Sequence, residues 1–186
     1  MNMVKPPKAA KAAKSAKKPT MQIYRAKECR RMTDDEGTVS SMPESAMVGL
    51  GRMAEAGMTD GYVIKVLFDL PGFTLHYAWF KANYPLPRHS HDSDCMYYVI
   101  SGEAHLGNQV LRAGDSFFVP ADAPYVYTAG PDGVEVLEIR HNVAQFDMKI
   151  PDAPAARWQE MVEISAANRE RWESEETSPT YAANQA

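Results

Sequence analysis

The sequence predicts an all-β domain followed by a C-terminal helix, and three observations lead there. Between Gly61 and Asn142, runs rich in β-branched and aromatic residues alternate with turn residues about every 8–12 positions, the spacing of a barrel or sandwich. No segment in that region keeps a helical period. After Pro151 the pattern changes: Trp158, Met161, Val162, Ser165 and Trp172 recur at spacings that share one helix face.

Taken in order, residues 1–20 carry six lysines and no acid. This Lys/Ala/Pro-rich segment has almost nothing to bury, so it is expected to be a disordered basic tail. The alternative is an arm for nucleic acid or an anionic surface. The other 166 residues hold 14 basic and 24 acidic side chains, a net of −10 within the chain total of −4, which argues against nucleic acid as the main partner. Residues 21–60 form an N-terminal extension with a short helix around Ala46–Ala56, where Gly49 and Gly51 each cost ~1 kcal/mol relative to Ala.

The barrel is expected over residues 61–150. Tyr62–Asp69 and Phe73–Lys81 read as strands flanking the Leu70-Pro71-Gly72 turn. Cys95–Ile100, Glu103–Leu106, Ser116–Val119, Tyr125–Ala129 and Val134–Arg140 follow. Turn punctuation falls between them, at Ser101-Gly102 and at Gly130–Gly133 among other places. A helix over residues 151–176 comes next, with Asp152 as its cap and Pro154 in its first turn, and residues 177–186 are expected to be a disordered tail. Its tryptophans read as core packing.

Apolar residues make up 45% of the chain, and no run approaches the ~18 of a membrane span. The N-terminus has no apolar secretory segment, and the two cysteines, Cys29 and Cys95, make no disulfide framework. A cytoplasmic protein without membrane attachment is the expectation.

The stretch Pro85–Gly102, PLPRHSHDSDCMYYVISG, holds the chemistry. Residues two apart on a strand share a face, so His89 and His91 project together as a pair of potential metal ligands. The same parity runs on through Ser93, Cys95, Tyr97 and Val99 if the strand continues. His76, His105 and His141 read as structural or exposed residues. Glu138, a carboxylate in an apolar strand, is an oxygen ligand or base, or else an ion-pair partner of Arg140 or Arg88.

These residues resemble the cupin superfamily. Its first motif places His-x-His, an acid and then a glycine, and His89, His91 and Gly102 fall in register. Its second motif begins with a glycine and ends the same run on a proline, as Gly114-Asp115-Ser116-Phe117-Phe118-Val119-Pro120 does. The resemblance covers roughly Gly61–Asn142 and implies a double-stranded β-helix, or jelly-roll barrel, with a metal in its mouth, and a homodimer. Two positions depart: Cys95 stands where the glutamate ligand belongs, and Tyr125 where the second-motif histidine belongs. Cys95 is either a thiolate ligand or a small buried hydrophobe. Tyr125 suits hydrogen bonding or proton transfer better than ligation.

The function expected is that of a metal-dependent enzyme acting on a small, aromatic or enol-type molecule, with dioxygenase-like chemistry. His89, His91 and Cys95 would hold a divalent transition metal (Fe, Zn, Cu or Ni), and Tyr97, Tyr125 and Tyr127 would serve as catalytic hydrogen-bond donors or a base. The competing expectation is a non-catalytic ligand-binding or sensor protein, which the two ligand replacements favour. A DNA-linked regulator rests on the lysine arm alone.

Overall fold

The computed structural model describes residues 20–32, 37–141 and 146–183. Its strands are β1 (Gly37–Ser41), β2 (Tyr62–Leu70), β3 (Phe73–Phe80), β4 (Ser90–His91), β5 (Cys95–Leu106), β6 (Gln109–Arg112), β7 (Ser116–Val119), β8 (Thr128–His141) and β9 (Phe146–Lys149). The helices are α1 (Glu44–Glu55), α2 (Ala155–Ser174) and α3 (Pro179–Ala183). A six-stranded sheet runs β2-β3-β8-β5-β6, with β7 paired to β5, and a three-stranded sheet runs β1-β9-β4. The disordered tail expected over residues 1–20 lies, Thr20 apart, outside the described residues.

Alternation builds the barrel wall. On β3, β8 and β5 the rows Ala78–Val136–Val99 and His76–Glu138–Tyr97 are in direct register and buried. The first row is apolar and packs with Phe80, Tyr84, Tyr127 and Val134. The second row is polar, and it marks the level at which the barrel stops being a plain core.

Two expected turns are strand instead. β5 runs through Ser101-Gly102, and β8 runs through Gly130–Gly133, because bulges absorb the irregularity. Gly102 and Gly133 both have positive φ, 72° and 84°. A Cβ on Gly102 would stand 2.1 Å from the Gly133 carbonyl oxygen, and one on Gly133 would stand 2.7 Å from that of Phe80, so β8 fits between β5 and β3 here only because neither glycine carries a side chain.

The helix α2 ties two cores together. Near its start Trp158 and Met161 pack with Ala46 and Met53 of α1. Fourteen residues later, about 21 Å along the axis at 1.5 Å per residue, Trp172 is fully buried in the barrel core beside Tyr84. Its indole N–H donates to the Ala82 carbonyl at 2.9 Å. Burying ~200 Å² of tryptophan is worth at most about 5 kcal/mol. The Lys81 ammonium donates to the carbonyls of Trp172 and Glu175, closing the helix C-terminus.

Two termini differ from expectation. Asp152 does not cap α2; it accepts from the Ala153 N–H at 2.9 Å and from the Ser45 hydroxyl, and Pro154 takes the cap position without a side-chain bond. The segment after Thr177 is seated on the barrel rather than loose. Ser178 is buried and bonds Glu135, Thr180 N–H donates to Glu135 at 3.0 Å, and the Tyr181 ring lies 4.9 Å from that of Tyr77. Glu135 also accepts from Tyr77 at 2.5 Å and Ser101 at 2.7 Å. A buried carboxylate needs such donors, and the tail supplies two of them.

Candidate functional site

Beneath the second row a cavity of about 250 Å³ opens between the two sheets. Its walls are mostly apolar: Ile64, Phe80, Tyr84 and Leu86 from the barrel, Leu50 from α1, and three methionines, Met32, Met58 and Met148. Its polar members are His89, His91, Tyr125 and Glu138. The methionines, drawn from three distant parts of the chain, were not legible in the sequence as one wall. No periodicity links them.

His89 is placed by a backbone bridge to Tyr125, with N–H to carbonyl bonds of 3.1 and 2.9 Å in the two directions. His91 sits on β4, opposite Met148 of β9, and its carbonyl accepts from the Asp122 N–H at 2.7 Å. The two rings stand 4.9 Å apart, centroid to centroid. His89 Nδ1 meets the Pro87 carbonyl at 2.8 Å, and His91 Nδ1 meets that of Asp147 at 3.0 Å. A carbonyl only accepts, so in both rings Nδ1 carries the hydrogen and the lone pair falls on Nε2.

That tautomer gives the adjoining chain a direction. His89 Nε2 must accept, so the Tyr125 hydroxyl, 2.8 Å away, donates to it. The Tyr97 hydroxyl then donates to Tyr125. Tyr97 therefore reaches the cavity wall only through Tyr125. Tyr127 lies within the barrel core against Phe80 and Phe117, and among the described residues its hydroxyl makes no hydrogen bond.

Burial sets the charge states. It lowers His89 to about 4 and His91 to about 3, and the Arg140 guanidinium adds to the effect on both. Both imidazoles are thus neutral near pH 7. Burial pushes the Cys95 thiol up to about 11, and it also raises Tyr97, Tyr125 and Tyr127, with the Glu138 carboxylate adding to each. Glu138 is itself raised by burial and held back by Arg140, which donates to it at 2.7 Å. Of the alternatives left open for Glu138, the structure shows the ion pair with Arg140. Arg140 Nη1 also stands 3.1 Å from His76 Nδ1. His105 pairs with Glu103 and His141 with Asp94, both away from the cavity.

Tested against a divalent ion, the two imidazoles fit: both are neutral and both are oriented through Nδ1, which prepares Nε2 for ligation. Cys95 does not join them. Among the described residues no group of three His, Cys, Asp or Glu side chains is placed to hold one ion. The reason is that the expected parity is broken. Asp92–Asp94 interrupt the strand, so His91 belongs to the three-stranded sheet and Cys95 opens β5 of the other. Cys95 packs in the barrel core instead, 1% exposed. The nearest further donor to His89 is the Tyr125 oxygen.

No protein-family model matches the chain, and no curated protein matches it. Among solved structures it is similar to the polyketide cyclase RemF from Streptomyces resistomycificus. That likeness has 13% identity over 80% of this chain and 97% of that one, with a TM-score of 0.53. The chain has the cupin fold. An RmlC-like cupin from Shewanella frigidimarina is 26% identical over 46% of this chain and 79% of its own, with a TM-score of 0.43. KdgF from Halomonas sp. is 20% identical over 45% and 82%, with a TM-score of 0.41. In this cupin barrel His89, His91 and Tyr125 stand together on the cavity wall. Among the described residues no helix is long and apolar enough to cross a membrane.

Proposed function

We propose that this cupin is an enzyme that converts a small, largely apolar molecule in the barrel cavity, with a divalent transition metal held by Nε2 of His89 and His91. The observation that carries this reading is the matched pair of Nδ1 bonds to Pro87 and Asp147, which leaves two neutral, preoriented imidazoles on one cavity wall. Such an ion would supply Lewis-acid polarisation of a substrate oxygen, the setting for the dioxygenase-like chemistry expected.

The chain's own groups do the rest. Tyr125 presents a hydroxyl on the cavity wall, and Tyr97 behind it donates a hydrogen bond that orients that hydroxyl. Phe80, Tyr84, Leu86 and the three methionines keep water from the reacting atoms. A cavity of about 250 Å³ is below the ~300–1,000 Å³ of drug-sized sites, which suits a molecule with one ring. The homodimer belongs to this reading too. Met96, Tyr98 and Phe118, exposed by 46, 44 and 60%, stand on the outer face of the adjacent strands β5 and β7.

Metal analysis of purified protein tests the proposal. About one ion per chain, lost in His89→Ala/His91→Ala and retained in Cys95→Ala, supports it. An ion that survives the double substitution overturns it.

A second reading has its own observation. The Tyr125 hydroxyl occupies the lone pair of His89 that a metal would need. Tyr97, Tyr125 and His89 would then form an acid–base chain working without an ion. Protein free of bound metal that still turns over or tightly binds a small phenol favours this reading, and binding without turnover identifies a ligand carrier.

A further inference from the structure

Glu138 is the one acid among the described residues that line the cavity. Its side chain is 6% exposed and lies on β8, between His76 of β3 and Tyr97 of β5. Arg140, 1% exposed, donates to Oε2 at 2.7 Å, and among the described residues this is the only hydrogen bond the carboxylate makes. An ionised carboxylate has room for about four. A buried acceptor with unused capacity, on the wall of a cavity, is matched by a donor from within that cavity. Nor does stability account for the pair, since apolar residues of similar size commonly serve a core as well as a buried ion pair.

We infer that Glu138 selects the substrate, accepting a hydrogen bond from a neutral hydroxyl of phenol or enol type and turning carboxylates away. The inference rests on the cavity being the substrate site, as proposed above. Arg140 does not line the cavity; an anion entering it meets Glu138 first. Arg140 already pairs the carboxylate at 2.7 Å, so what the remaining oxygen lacks is a hydrogen bond rather than a counter-ion. What remains is an uncharged donor on an apolar body, the body lying against Phe80 and Met148.

Phenol and benzoate share a ring and differ in this one group. Calorimetric titration of both into the protein as purified should show phenol binding about tenfold tighter or more, because like charges in a desolvated site repel strongly. In Glu138→Gln that preference should shrink about tenfold, because the like charge that repels benzoate is gone. Glu138→Gln/Arg140→Gln removes both charges and should lose the preference as well, which guards against misfolding of the single variant. Equal affinities in the wild type, a preference for benzoate, or a ratio unchanged in both variants overturns the role of Glu138 alone. Binding of neither probe overturns it together with the cavity's assignment as the substrate site.

Discussion

His89 Nε2 lies 2.8 Å from the Tyr125 hydroxyl, across a backbone bridge that joins the same two residues by paired hydrogen bonds. The side-chain contact is thus fixed at both ends by main chain, and it brings a strand-end histidine to a tyrosine 36 positions further on.

Acid should unfold this protein through its histidines. Burial holds His89 at about 4 and His91 at about 3, against an ordinary value of 6.5 in the unfolded chain. Between those values the unfolded state binds more protons, so the stability the pair contributes is complete above pH 6.5 and drains away as pH falls. The slope is about 1.4 kcal/mol per histidine per pH unit. Urea denaturation at pH 7.5, 6 and 5 should show it, and His89→Asn/His91→Asn should flatten it. A flat wild-type profile would refute the buried, neutral pair.

The cysteines should differ in reactivity. Cys95 is 1% exposed with its thiol pushed up to about 11, whereas Cys29 is only partly buried. A disulfide-exchange reagent at pH 8 should therefore label one thiol in the native protein and both in denaturant. Rapid native labelling of Cys95 would place it on an accessible wall, contrary to its packing.

The ion pair beneath the cavity should be costly to split. Arg140→Ala leaves Glu138 buried without its partner, an expected loss of about 3–5 kcal/mol. Glu138→Leu/Arg140→Met should lose less than Arg140→Ala does, because no charge is stranded. Equilibrium denaturation of both variants measures the difference; equal losses would contradict it.

Two glycines of α1 should respond in opposite directions to the same substitution. A Cβ on Gly49 would stand 2.2 Å from the Trp158 ring, so Gly49→Ala should push α1 and α2 apart and cost about 1–3 kcal/mol. Gly51 has nothing within 4 Å, and Gly51→Ala should stabilise by up to about 1 kcal/mol. Thermal melts of the two variants that moved together would show that helix propensity alone governs both sites.

Much of the barrel could be read without coordinates. β2, β3 and β7, the α2 face of Trp158, Met161, Ser165 and Trp172, and the nearness of His89 to His91 all follow from alternation and spacing, which are local properties. What local pattern could not convey was anything that depends on which strand meets which. Parity along one strand pointed Cys95 toward the histidines, but the break at Asp92–Asp94 sends it to the opposite sheet. Gly49 looked like a weakness in a helix and is instead the space into which Trp158 fits. The tail after Thr177 lacked a hydrophobic pattern, yet the buried carboxylate of Glu135 holds it through hydrogen bonds that no pattern announces. Met32, Met58 and Met148 became neighbours only through long-range closure, whereas the Glu138–Arg140 pair, two residues apart on one strand, was among the readings open from sequence. Periodicity records which face a residue presents; what stands across from that face is settled when the chain closes on itself.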